Sequence, residues 1–214
     1  MSTAARRARE KQQRRVSIID AAEKLFFSKG YDNVSMNDIA KEVELNRATI
    51  YLYFENKEAL CFAVILRGVR LLNQMVRNRV KNTSYAQKIN AFGNTYYHFF
   101  SLYPQYKQIY NLFQSGRFHI SSLRRPAWDD VREILDLQKG LFNILHSAIK
   151  TEIGTGSISS DIEPDYAAIL IISAIEGMIN PSPILEKEIE DRNIKKYQDF
   201  RRNYIHFVGQ LLKK

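Results

Sequence analysis

The side chains best suited to chemistry cluster between positions 35 and 54, in SMNDIAKEVELNRATIYLYF. Arg47 offers a planar fork of N–H donors that matches the O6 and N7 edge of guanine. Ala48 or Leu52 could lie against a thymine methyl. Thr49, Tyr51 and Tyr53 bring hydroxyls that can donate to phosphate oxygens. This is recognition chemistry, and little else in the chain competes with it. The four histidines, His98, His119, His146 and His206, have no metal-ligand spacing. There is no Gly-rich phosphate loop and no nucleophile elbow. Cys61, the single cysteine, sits in an apolar helix start and reads as a core thiol. It excludes a disulfide within the chain and suits a reducing compartment. No catalytic residue, metal or cofactor is expected.

Helices must position these side chains, because helical periodicity dominates and no alternating strand pattern appears. Ile18, Ala22, Leu25 and Phe26 share one face of a first helix, and Gly30 suits its C-terminus. Ser35, with Asp38 three residues on, has the pattern of a capped second helix over about Met36 to Val43. A break at Glu44-Leu45 follows, and Asn46 caps a third helix, Arg47 to Phe54. Asn56 caps a fourth that runs to about Val80. In the helix-turn-helix layout, small Ala40 permits a close crossing, Val43 and Leu45 plug the turn, and Ile50 and Phe54 face inward. The N-terminal residues of its last helix then meet base edges in the major groove. Tyr51 and Tyr53 have a blander reading as half-buried aromatics.

The stretch SIIDAAEKLFFSKGYDNVSMNDIAKEVELNRATIYLYFENKEAL resembles the N-terminal domain of TetR-family transcriptional regulators. The likeness rests on Ile18-Ile19, Ala21-Ala22, Leu25-Phe26, Gly30-Tyr31, Ser35, Ile39-Ala40, Thr49-Ile50-Tyr51, Tyr53-Phe54, Lys57-Glu58 and Leu60, ungapped over about residues 14–62. It implies an all-α chain in which a helix-turn-helix DNA-binding domain precedes a larger ligand-binding and dimerisation domain. The boundaries are set at 12–72 and 73–214, with the motif at 35–54. It also implies DNA contacts from Ser35, Met36 and Asn37, from Arg47, Ala48, Thr49, Tyr51 and Tyr53, and from Lys57 to phosphate. Two positions depart from the family pattern. Glu44 stands where Gly is usual in the turn, and Glu tolerates a positive φ poorly. Ala48 replaces a frequent Gly, which favours the helix.

The remainder reads as longer helices over about 85–103, 104–113, 126–151, 164–180 and 187–212, with a loop at 114–125 and a break at 154–157. Residues 92–118 hold ten of the chain's 25 aromatics. Phe92, Tyr96, Phe99, Phe100 and Tyr103 form one stripe, for which a packed core is the favoured reading. Tyr96, Phe100, Tyr103, Tyr106 and Tyr110 are the candidates for an effector pocket, since buried tyrosine hydroxyls need partners. Ala167 to Ile175 is apolar at eight of nine positions. The last helix carries Tyr197, Phe200, Tyr204, Phe207, Val208 and Leu211 on one side. Two such helices from each of two chains would make a four-helix homodimer interface, about 164–180 with 187–212.

Lys plus Arg number 32 against 23 Asp plus Glu, a net +9 that first suggests a polyanionic partner. Residues 1–15 are net +5, residues 16–60 are net −3, and the rest are net +7. Residues 1–13 read as a mobile basic arm that could be partly helical, and the cations Arg6, Arg7, Arg9, Lys11, Arg14 and Arg15 belong either to a plain disordered tail or to a minor-groove and phosphate arm. It lacks the apolar region of a signal peptide, and the longest apolar run is far too short to span a membrane. The expectation is a cytoplasmic, homodimeric repressor that binds a pseudo-palindromic double-stranded DNA operator and is released by an unidentified small hydrophobic effector. The rivals are an activator of the same fold, a nonspecific nucleic-acid or membrane-surface binder driven by the arm, and a helical enzyme or carrier.

Overall fold

A computed structural model describes residues 3–84 and 87–192. The described residues form helices and their connections, with no strand. In chain order these are α1 (Thr3–Lys29), α2 (Met36–Glu42), α3 (Arg47–Tyr51), α4 (Lys57–Lys81), α5 (Lys88–Leu102), α6 (Pro104–Gln114), a 3-10 turn (Ile120–Ser122), α7 (Ala127–Gly154), α8 (Pro164–Ile179) and α9 (Pro183–Asp191). The chain divides into two compact units. Unit 1 holds Met1–Arg70 and Pro104–Asp136, and unit 2 holds Leu71–Tyr103 and the stretch that begins at Leu137. Helices α4 and α7 pass from one unit into the other.

In unit 1, Ile18, Ala22, Leu25 and Phe26 of α1 are buried with Ile39 and Ala40 of α2, Ile50 of α3 and Leu60 and Phe62 of α4. Burying a large apolar side chain contributes about 1.5–3 kcal/mol, so these residues dominate the unit's stability. α1 ends at Gly30, whose φ of +80° is in the left-handed region and whose N–H donates to Phe26 O at 3.0 Å. Gly68 of α4 is needed for packing, because a Cβ there would lie 2.5 Å from Cδ1 of Tyr106. The Tyr106 ring is held edge-on by Phe27, with centroids 5.0 Å apart.

Unit 1 is larger than the domain expected at 12–72. It also takes in α6, the connecting loop and the first part of α7. Phe118 packs edge-on against Tyr31 and Phe62, and Phe113 against Phe62. Arg117 grips Asp32 through two hydrogen bonds, and the Arg124 backbone N–H donates to Glu55 at 2.8 Å. Tyr31 and Phe62 therefore bury their faces with help from residues more than fifty positions away.

In unit 2, Asn73 is a buried polar side chain, and its amide donates to the Leu137 carbonyl at 2.9 Å. The Arg77 guanidinium donates to Asn73 and packs against Gly140, where a Cβ would fall 2.9 Å from it. α5 and α8 are tied by the Tyr96 hydroxyl, which donates to Glu176 at 3.3 Å. His146 and Asp165 approach to 3.5 Å between α7 and α8.

Several helix limits differ from the sequence expectation. The arm is helical from Thr3, further than the partial helix the sequence allowed. It is continuous with α1, a single helix of 27 residues, since nothing between Thr3 and Lys29 is Gly or Pro. α3 stops at Tyr51 rather than Phe54, because the next amides turn to i→i+3 partners: Leu52 donates to Thr49 O and Tyr53 to Ile50 O. The helix expected from Lys187 begins at Pro183 instead, where Ser182 caps it by accepting from the Leu185 N–H. The rest of the expected 187–212 helix beyond Arg192, with Tyr197 to Leu211, lies outside the described residues, as do Tyr85 and His206.

Candidate DNA interface

α2 and α3 owe their positions to their caps. Ser35 Oγ accepts from the Asp38 N–H at 3.2 Å, and the Ser35 N–H donates to Asp38 Oδ2 at 2.9 Å. Hydrogen bonds from Ser35 hold the Asp38 carboxyl below its ordinary pKa. Glu44 takes φ +54° in the turn that ends α2. There its N–H donates to Lys41 O, and the Leu45 N–H donates to Ala40 O at 2.9 Å, a Schellman closure. The Gly-favouring position expected at Glu44 is thus present, filled by Glu. Asn46 Oδ1 then accepts from both the Thr49 N–H and the Thr49 hydroxyl, each at 2.8 Å.

These caps leave Arg47, Ala48, Tyr51 and Leu52 on the open side of α3, with Ile50 fully buried behind them. Leu52 is 78% exposed. An Arg47 nitrogen donates to the Tyr51 hydroxyl at 3.1 Å, and the guanidinium sits over the Tyr51 ring at 5.4 Å. The pair is one helical turn apart and holds both side chains on the same exposed face. The guanidinium keeps donors in reserve, because one bond uses only part of its fork. Tyr53 is half-buried.

The other residues that the resemblance implies are placed differently. Met36 is buried and faces the core, so its side chain is not at the open surface. Ser35 is exposed, but its hydroxyl is committed to the capping box. Asn37 is exposed. Thr49 is half-buried and spends its hydroxyl proton on Asn46, which leaves it no proton to donate to a phosphate oxygen. Lys57 donates to the Tyr31 carbonyl at 2.9 Å and lies 4.2 Å from the Tyr31 ring centroid, which leaves two ammonium protons for an outside partner. Arg15 is withdrawn from the arm. It lies over the Phe54 ring at 5.0 Å and pairs with Asp130 at 2.8 Å. Burial pushes the Asp130 carboxyl up, against the pull of Arg15. Burial likewise pushes up the thiol of Cys61, which is fully buried. The Arg15–Asp130 pair and the loop contacts of Arg117, Phe118 and Arg124 were not found from sequence, since partners so far apart leave no local pattern.

The five aromatics expected to line an effector pocket divide between the two units. Tyr96, Phe100 and Tyr103 fall in unit 2, while Tyr106 and Tyr110 fall in unit 1. Tyr96 and Phe100 are buried, ring against ring, in the α5 core. Unit 2 has two open clefts lined by both polar and apolar side chains. One, of about 490 Å³, is lined by Arg77, Lys88, Gly140, Asn143, Ser147 and Thr151 among others. The other, of about 620 Å³, includes Met75, Asn78, Arg79, Asn94 and His98. Among the described residues no group of three or more His, Cys, Asp or Glu could hold a metal. α4 is long and apolar enough to cross a membrane by composition, but 72% of that stretch is buried inside the protein, as in a core helix.

A short capped helix with an exposed Arg–Tyr face, set across α2 by a tight turn, defines a helix-turn-helix domain of the DNA-reading type. Comparison with known proteins shows what it is similar to. Residues 18–64 match the model for bacterial regulatory proteins of the tetR family. A helix-turn-helix-type transcriptional regulator of Staphylococcus aureus strain USA300 is 44% identical over 62 residues, which cover 29% of this chain and 32% of that protein. The match thus spans about a third of the relative's length. Solved structures are similar over nearly the whole chain. The tetR-family regulator PfmR of Thermus thermophilus has TM-score 0.63 at 18% identity, covering 89% of this chain and 92% of its own. The fatty acid degradation regulator FadR of Bacillus halodurans has 0.62 at 20%, covering 92% and 93%. The ketosteroid transcriptional regulator of Mycobacterium tuberculosis has 0.64 at 16%, covering 94% and 95%. Residues 18–64 thus match the DNA-binding domain of the tetR family, and the all-helical fold of the described residues is similar to that of solved tetR-family regulators.

Proposed function

We propose that this chain is a ligand-responsive transcriptional repressor that binds a pseudo-palindromic operator as a homodimer. The observation that carries the reading is the Arg47–Tyr51 pair, held on the exposed face of a capped α3 beside exposed Ala48 and Leu52. Arg47 would read guanine, Leu52 and Ala48 would meet thymine methyls, and Tyr53, Asn37 and Lys57 would anchor phosphates. Met36 is withdrawn from this set because it is buried, and Ser35 and Thr49 serve mainly as caps.

α8 supports the dimer. Tyr166, Ile169 and Leu170 are 74%, 54% and 55% exposed, and with Ser173 and Gly177 they line one outer face. An apolar face of this kind calls for a partner, and a second copy would bring the two recognition helices to successive major grooves. The effector would bind unit 2. The cleft that Arg77 and Lys88 share with Val80, Ile144 and Ala148 supports an effector with an anionic group and an apolar part. FadR of Bacillus subtilis was solved with stearoyl-CoA, so acyl-CoA thioesters are reasonable first compounds to try. α4 and α7, shared by both units, are the covalent route by which the effector would shift the population of DNA-competent dimers.

The test selects genomic fragments bound by the purified protein and measures affinity for the recovered site. Specific binding of the intact protein that weakens on Arg47→Ala supports the reading. Equal binding to selected and scrambled duplexes rejects it.

A further inference from the structure

The first three turns of α1 lie outside the packed core. Residues 3–14 are all exposed, and the first buried side chain is Ile18. At 1.5 Å per residue, about 18 Å of helix project beyond the packed part. The packed part of α1 nucleates this extension, which buries no side chain of its own.

The pattern along it is specific. Arg7, Lys11, Arg14, Ile18, Ala22 and Leu25 recur at i, i+4, i+7, i+11, i+15 and i+18, which is one continuous stripe of α1. The last three members are buried against the domain and the first three are exposed cations. Arg6 is paired with Glu10 at 3.2 Å, whereas Arg7, Arg9, Lys11 and Arg14 have no ion-pair partner among the described residues. Arg15 marks where the stripe leaves the fold. Its guanidinium lies over Phe54, and it shares a small cleft with Tyr51, Leu52 and Tyr53 at the end of the recognition helix. The cationic half of the stripe thus ends one residue before Arg15, the α1 residue that touches Phe54 just beyond α3.

We propose that the projecting half of α1 is a second DNA contact, in which Arg7, Lys11 and Arg14 track the phosphate backbone outside the half-site read by α3. This rests on the DNA reading above and adds to it. A duplex presents a phosphate charge every ~1.7 Å along its axis, a density that a one-sided stripe of cations complements. The helix contributes affinity without sequence preference and extends the protected site. Its ~18 Å correspond to about five base pairs at the ~3.4 Å rise of one strand. Arg15 is excluded from the contact because Asp130 occupies it.

The experiment uses the full chain and its selected operator, in duplexes with and without about eight extra base pairs on each side. The variant is Arg7→Ala with Lys11→Ala and Arg14→Ala, and a Lys-for-Arg variant at positions 7 and 14 keeps the charge. All substituted side chains are exposed, and matching circular dichroism confirms the fold. The homodimer loses six phosphate contacts, three per protomer, which lowers the salt slope by about 5.4, so between 50 and 200 mM salt the intact protein loses about 1,800-fold more affinity than the Ala variant. The intact protein prefers the longer duplex, the Ala variant does not, and the charge-keeping variant behaves as the intact protein. An Ala variant with unchanged slope and unchanged length preference overturns the proposal while leaving the DNA reading in place. So does an Ala variant that loses binding only to anionic phospholipid vesicles. An intact protein that binds no duplex overturns both.

Discussion

Glu44→Gly isolates the one strained non-glycine residue among those described. Glu44 sits at φ +54° as the residue that closes α2. A left-handed conformation costs an L-residue about 1–2 kcal/mol. Glycine removes that cost but loses about 0.5–1 kcal/mol more backbone entropy on folding. The net expectation is a gain of roughly 0.5–1 kcal/mol, or about 1–4 °C in Tm for a chain of this size. Glu44 is exposed, so little packing is lost. Glu44→Ala is the control, because alanine removes the carboxylate but keeps the strained Cβ. The assay is thermal unfolding at pH 7, with urea melts to check that the m-value is unchanged. Gly should gain and Ala should stay within about 0.5 kcal/mol of the parent. If the two variants gain equally, charge and not backbone strain governs the turn. If Gly is the less stable, the Schellman argument fails.

Other outcomes follow from particular contacts. Gly68→Ala should destabilise unit 1 by about 1–3 kcal/mol in denaturant melts, since its Cβ would meet Tyr106 at 2.5 Å. Arg15→Ala should cost about 1.5–3 kcal/mol by removing a charged hydrogen bond from part-buried Asp130. Asp130 is already raised, and without Arg15 it rises further. A raised acid is favoured protonated in the fold, so that variant's deficit should grow as pH rises from 4 to 7 in parallel melts. Asp32, Asp38, Glu42 and Glu133 are all held below their ordinary values by Arg117, Ser35, Lys24 and Arg70 respectively. Their stabilisation is complete above about pH 4.5 and disappears as pH falls through the lowered values. Acid titration by circular dichroism should show the loss only below that point, and a loss centred near neutrality would contradict the assignment.

Local chemistry is what the sequence made legible. Ser35 with Asp38, Asn46 ahead of Arg47, and Gly30 after Lys29 are short-range capping patterns, and each marks a helix end in the structure. The strain at Glu44 was legible for the same reason. Site availability was not, because it depends on tertiary burial and on competing hydrogen bonds. Met36 lies within the motif yet is buried, and Thr49 yields its proton to Asn46. The core reading of the aromatic stripe agrees with the burial of Phe92, Tyr96, Phe99 and Phe100, although a helical stripe looks the same in sequence whether it lines a core or a pocket. Composition also hid the continuity of α1, since a run of cations without Gly or Pro is equally consistent with a helix and a loose tail.

The most direct test of the central claim is a competition titration at fixed salt, in which the intact protein meets its selected operator and a scrambled duplex of equal length. The expected preference for the operator is at least about 1,000-fold. Arg47→Ala should cut it by about 1–3 kcal/mol at one base position while scrambled-duplex affinity changes little. Equal affinity for both duplexes, or a preference untouched by Arg47→Ala, would contradict the assignment of α3 as the reading helix.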